Sequence, residues 1–287
     1  MSPKSRPVIQ ILLHSYTFRD LPLEEAFVAA RDFGYDGLEL SRVHFDDAAP
    51  EADLKRAAEL ASTYGVPIAV LDFACDFISP DDADRTEAAE KLERNMRAAA
   101  KHGVSLMNGY VGVLAEDGQP FSANGSALAN DGHYEYAAEA LRRAIPLADE
   151  LGLTLSLEIH MNTIHDTVAS MRRLLEDVGV PSLRVTPDPG NMYATSMIDR
   201  DPVVLGALSD RLGLFHVKNC RDAAGEIDYS VSLEEGTLDI PAYLHLLADI
   251  RYNSPLCIEH VGDGDPRTMA QHDIVYLRQC VEQVPRA

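Results

Sequence analysis

Tryptophan is absent from this 287-residue chain, and its four cysteines form no CxxC pair. Cys75, Cys220, Cys257 and Cys280 fit neither a zinc-finger spacing nor a disulfide framework. They read as reduced thiols in or near the core of a cytoplasmic protein. Basic residues are scarce: 25 Lys and Arg stand against 46 Asp and Glu, a formal net charge of −21. Binding a nucleic-acid backbone needs clustered Lys and Arg, and docking on an anionic membrane needs the same, so the sequence argues against both partners. Long apolar runs are missing as well. The early run VIQILL is closed by His14, too soon for a membrane span or the core of a signal peptide.

What is present is a repeated pattern. Helical segments end in Gly and are followed within a few residues by a short apolar run: FGYDGLEL at Gly34, YGVPIAV at Gly65, HGVSLMN at Gly103, LGLTLSLEI at Gly152 and VGVPSLRV at Gly179. Gly just past a helix adopts the left-handed conformation cheaply and ends it. Residues 51–64 and 132–151 carry apolar side chains at spacings of three and four, the helical period, with Pro146 expected to kink the second helix. Ser79-Pro80-Asp81-Asp82 reads as a helix start with Ser79 as the cap.

Eight short strands are expected, ending near His14, Leu40, Asp72, Asn108, Glu158, Asp188, His216 and Glu259. They are rich in Val, Ile and Leu, as parallel strands covered on both faces should be. Eight βα units in this length predict a (β/α)8 TIM barrel forming one domain over residues 1–287. Residues 109–133 and 220–239 lack helical period and read as lid-like loops over the active end.

Catalytic groups of such barrels come from the C-terminal strand ends. The last four ends, LSLEIH, RVTPDPGNM, LFHVKN and CIEH, each carry a metal-capable residue: Glu158, Asp188, His216 and Glu259. A carboxylate taken out of water costs several kcal/mol unless it is paired or metal-bound. Three carboxylates converging on one mouth would repel each other, and a divalent cation relieves that. Three oxygens and one imidazole suit Mn2+, Mg2+ or Co2+, with Zn2+ also able to use the set.

The order Glu, Asp, His, Glu on strands five to eight, in the motifs LEIH, DPGNM, HVKN and IEH, resembles the sugar phosphate isomerase/epimerase superfamily, the xylose-isomerase-like barrels. The resemblance implies one divalent metal, usually Mn2+, on these four residues, with Glu158 and Glu259 as an acid/base pair. It also implies enolisation of a keto sugar, and a homo-oligomer. EIHM looks similar to catalytic subunits of C-glycoside deglycosidases, which implies β-elimination from a 3-keto-C-glycoside and a hetero-oligomer with a small β-rich subunit. An inosose-type dehydratase is a further relative. The endonuclease branch has His where this chain has Asn191, and further ligands in the region of Val231, so DNA repair is disfavoured.

His160, two residues after Glu158, points to the same side by strand alternation and is a candidate general base beside the ligating Glu residues. Lys218, two after His216, is a candidate to neutralise an enolate. His14, His44, Asp72, Asn108, Tyr110 and Arg221 are candidate substrate contacts, whereas His165 is expected in the following helix, either in a structural role or exposed. No Lys or Arg lies between Lys101 and Arg142 or between Arg221 and Arg251, and no Gly-rich phosphate loop follows strands seven and eight. A neutral sugar or glycoside is therefore expected rather than a sugar phosphate. The rival of another class is a non-catalytic sugar-binding barrel.

Overall fold

The computed structural model describes residues 9–223 and 226–284. Eight parallel strands form one sheet: β1 (Ile11–His14), β2 (Gly37–Leu40), β3 (Ile68–Cys75), β4 (Leu106–Val111), β5 (Thr154–Glu158), β6 (Arg184–Thr186), β7 (Phe215–Val217) and β10 (Leu256–Ile258). Their order is β6-β5-β4-β3-β2-β1-β10-β7. The seam between β6 and β7 is bridged by a parallel pairing of Val185 with Leu212, and His216 N donates to Pro187 O at 3.0 Å. The sheet is thus a nearly closed (β/α)8 barrel, as the sequence predicted. Helices α1 (Leu23–Phe33), α2 (Glu51–Tyr64), α3 (Asp82–Lys101), α4 (Asp131–Leu151), α5 (Val168–Val178), α6 (Pro189–Thr195), α7 (Ile240–Asp249) and α8 (Pro266–Gln283) lie between and after the strands. Gly34, Gly65, Gly152 and Gly179 sit in the left-handed region as the caps of α1, α2, α4 and α5. None of these helices is long and apolar enough to cross a membrane.

Three local expectations are corrected. The cap of α3 is Asp81, whose side chain accepts from Ala83 N at 2.8 Å. Ser79 lies two residues earlier, where its hydroxyl accepts from Asp81 N and donates to Asp84. The loop expected from residue 109 begins after Val111, because β4 continues in register with β3 as far as the Cys75–Val111 pair. The loop of residues 220–239 holds a two-stranded antiparallel hairpin, β8 (Arg221–Ala223) and β9 (Glu226–Asp228). Pro146 lies inside α4, which continues through it.

Inward-facing positions recur every two residues along a strand. Leu12, Val70, Leu106, Leu214 and Cys257 form a separate apolar cluster inside the barrel. Two residues further along the same strands stand His14, Asp72, Asn108, His216 and Glu259. The same step takes Gly37 to Glu39, Ser156 to Glu158 and Thr186 to Asp188. Gly37 is small because a Cβ there would come 2.9 Å from Pro67 O. An apolar floor therefore carries a ring of eight polar side chains, one from each strand or strand end.

Candidate metal centre

The ring is organised around His216, whose side chain is fully buried. Its Nε2 lies 2.9 Å from Glu39 Oε2, a carboxylate that can only accept, so Nε2 carries the proton. Nδ1 is then the nitrogen left to bind a cation. Nδ1 is buried and has no hydrogen-bond partner. It faces Glu158 Oε1 at 3.6 Å, Asp188 Oδ2 at 3.7 Å and Glu259 Oε2 at 3.8 Å. One ligand atom from each of these four residues lies within 4.8 Å of the others. Three carboxylates converging on one buried ring nitrogen repel each other, and a divalent cation among them relieves that repulsion. The donor set therefore fits a divalent metal ion.

The surroundings hold these four side chains in place. Glu39 also accepts from Asn108 Nδ2 at 2.8 Å, so the carboxylate that fixes the His216 ring is itself fixed. Asp188 caps α6 through Oδ1, which accepts from Asn191 N at 3.0 Å, leaving Oδ2 for the centre. Asn191 Nδ2 donates to Glu158 Oε1 at 2.8 Å. Lys218 Nζ lies 2.7 Å from Asp188 Oδ2 and 2.8 Å from Glu259 Oε2. Gly190 leaves room for that side chain, since a Cβ there would stand 3.0 Å from Lys218 Cγ. Burial would raise the Glu259 carboxyl, but the Lys218 ammonium 2.8 Å away holds it well below the usual range. Burial dominates at Asp72, and despite its contact with His14 that carboxyl is pushed up to about 7.

Other predicted residues occupy definite places. His14 belongs to the ring, with Nε2 3.4 Å from Asp72 Oδ2. His160 stacks on Tyr110, with ring centroids 4.6 Å apart, and its Nδ1 lies 2.9 Å from Met161 O. A carbonyl only accepts, so the proton is on Nδ1 and Nε2 offers a lone pair. Arg42 Nη2 donates to Tyr110 Oη at 3.3 Å on the same wall. His44 is turned away from the ring towards Ser15 O, 3.0 Å distant. Arg221 is exposed on β8 and is not brought into the ring. His165 precedes α5 rather than lying in it; it is fully buried, and its Nε2 accepts from Val111 N at 3.1 Å.

Sequence reasoning missed Glu39 and the support that Asn191 gives Glu158. The signal for Glu39 was the one used elsewhere, a carboxylate embedded in an apolar strand, GLEL. Tyr229, also missed, donates to Gly190 O at 3.1 Å, with its ring centroid 5.8 Å from Lys218 Nζ. It follows a hairpin that carries no apolar alternation to announce it.

The sequence matches the family of xylose isomerase-like TIM barrels over residues 27–280. No curated protein matches it in sequence. Among solved structures, a D-allulose 3-epimerase from Methylomonas sp. superposes with a TM-score of 0.77 at 18% identity, covering 98% of this chain and 100% of that one. A probable 3-DHS dehydratase, AsbF, from Bacillus anthracis gives 0.73 at 18% identity, covering 94% and 99%. The IolI protein, with a bound zinc atom, gives 0.77 at 16% identity, covering 97% and 100%. At these identities the likeness is one of fold.

Proposed function

The chain belongs to the xylose isomerase-like TIM barrel family, and on that premise we propose that it is a divalent-metal-dependent enzyme that enolises a neutral keto sugar or oxidised glycoside. The observation that carries the reading is the unpartnered Nδ1 of His216 among three carboxylate oxygens. Glu158, Asp188, His216 and Glu259 would hold the cation, Mn2+ in the first instance. When bound it would polarise a carbonyl and acidify the neighbouring C–H.

The chain's own groups supply the rest. His160 Nε2 takes the proton from carbon, and the C–H electron pair moves into the carbonyl as the enolate forms. Stacking on Tyr110 and the bond to Met161 O hold that lone pair in place. Lys218 keeps its charge beside Asp188 and Glu259, which disfavours their protonation as the substrate loses its proton. The shortage of uncompensated cations at the mouth supports a neutral substrate. Returning the proton to carbon gives an epimer or isomer. Expelling a β-substituent gives the lyase outcome, which the fold of a dehydratase accommodates.

The test is incubation with Mn2+ and a panel of D-fructose, D-tagatose, D-allulose and a 3-keto-glucoside, with products read by NMR. A new epimer, isomer or elimination product from any member supports the reading. Unchanged substrates throughout favour a sugar-binding barrel without catalysis.

A further inference from the structure

Two histidines at the barrel mouth are oriented by their partners, as described above: His216 turns Nδ1 to the proposed cation, and His160 turns Nε2 away from Met161 O. His14 completes the set with the opposite polarity. Its Nδ1 accepts a hydrogen bond from the backbone N–H of Tyr16 at 3.1 Å. That contact opens the short turn of residues 15–18 and gives the Nδ1 lone pair its partner. A neutral ring that accepts at Nδ1 carries its proton at Nε2. The Nε2–H points among acceptors: Asp72 Oδ2 at 3.4 Å, and Glu39 Oε1 and Glu259 Oε1 each at 3.9 Å.

This polarity excludes another reading of the same atoms. His14, Glu39 and His216 are close enough to hold a cation. A ligating nitrogen needs a lone pair, however, and His216 Nε2 spends its hydrogen on Glu39. The group is a set of donors packed on a carboxylate, and the cation belongs on the other side of the His216 ring.

We infer that His14 is a further catalytic residue, whose Nε2–H donates to a substrate oxygen as that oxygen gains negative charge. The inference rests on the enolisation reading and adds a second electrophile to it. Position supports the role. His14 ends β1 and His160 follows β5, and these strands stand four places apart in the ring of eight, on opposite walls. A substrate between them meets a lone pair on one side and an N–H on the other. The His14 and His216 rings meet edge to face with centroids 5.4 Å apart, so the donor borders the cradle where the substrate oxygens must lie. No proton leaves His14. The N–H bond persists while the C–H electron pair moves to oxygen, so the group acts by hydrogen bonding alone.

Two measurements test this on the full chain. In the first, 15N-histidine-labelled protein loaded with diamagnetic Zn2+ is examined by long-range 1H–15N correlation, with the ring of interest assigned by its loss in His14→Gln. The expected spectrum has the His14 proton on Nε2; a proton on Nδ1 overturns the inference. In the second, deuterium exchange into D-fructose, D-tagatose and D-allulose is compared among wild type, His14→Leu and His14→Gln loaded with Mn2+. His14→Leu should lower kcat ~10²-fold with KM little changed, the usual effect of losing such a donor. Gln, which keeps an N–H at that reach, should recover most of the loss. Metal content should be equal in all three, and its loss in either variant would place His14 in the metal shell and refute a donor role. Exchange in His14→Leu equal to wild type overturns the role of His14 alone. Absence of exchange in wild type overturns the enolisation reading and this inference with it.

Discussion

His216 Nε2 and Glu39 Oε2 are 2.9 Å apart at the centre of the barrel, both side chains wholly buried. The contact fixes which nitrogen of the ring is free, and through it a residue on β2 governs a site whose proposed ligands come from β5 and the residues at the ends of β6, β7 and β10. Carboxylate partners of a ligating imidazole raise its basicity and set its orientation. Glu39→Gln should therefore weaken Mn2+ binding ~10- to 100-fold, the range usual for such partners. Calorimetric titration of stripped protein checks it, and an unchanged affinity would detach Glu39 from the centre.

The proposed base makes a separate demand. His160→Gln should lower kcat by ~10² to 10⁴, as loss of a general base does, while leaving Mn2+ affinity within a few-fold. Tyr110→Ala, which removes the ring stacked on His160, should produce a smaller loss in the same parameter. Steady-state kinetics beside a metal titration separate the two effects. A fall in metal affinity equal to the fall in rate would make His160 a support for Glu158 instead.

These residues differ in how far the sequence announced them. Glu158, Asp188, His216 and Glu259 were legible because each closes an apolar run at a successive strand end, and the eightfold repeat told which ends share a mouth. Glu39 was not, because it stands one residue before the end of β2. Stepping inward positions by two from Gly37 would have found it. Asn191 and Tyr229 act through contacts between α6, β5 and the segment after β9, which no local period encodes. The cap at Asp81 was misplaced by two residues because Ser79-Pro80 mimics a start signal, and the Ser hydroxyl in fact serves Asp81 and Asp84. His165 was expected in the following helix; it instead lies before α5, buried, and accepts from Val111 N–H across the β4 loop.

His165 also gives a pH dependence. Burial, aided by the nearby His160, pushes its pKa from the ordinary 6.5 down to about 3. Between those values the unfolded chain takes up a proton that the folded chain refuses. The stability tied to this ring is thus fully present above pH 6.5 and is lost progressively as pH falls towards 3. At pH 4.5 the loss is about 2 to 3 kcal/mol, at ~1.4 kcal/mol per pH unit. His165→Gln keeps an acceptor for Val111 N–H and removes the titration. Urea unfolding at pH 7 and 4.5 should show the wild-type advantage over this variant shrinking by about that amount. A constant difference would show that the ring is protonated in the folded state.

Cation binding should also stabilise the fold, since the unfolded chain does not assemble the four ligands. At a free Mn2+ concentration 100 times Kd the gain is about 2.7 kcal/mol. Thermal unfolding with and without Mn2+ should show a rise in Tm for wild type and none for His216→Ala. An equal rise in both would mean that the stabilising ion binds elsewhere.

The central claim is that a cation held by these four residues lets the protein remove a proton beside a carbonyl. It is tested most directly by the rate of deuterium incorporation from D2O into a ketose at the carbon next to its carbonyl, measured on chelator-stripped protein before and after restoring one equivalent of Mn2+. The account predicts incorporation that is absent in stripped protein, returns with the metal in wild type and stays absent in His216→Ala. Incorporation in stripped protein at the wild-type rate, or full restoration in His216→Ala, would contradict it.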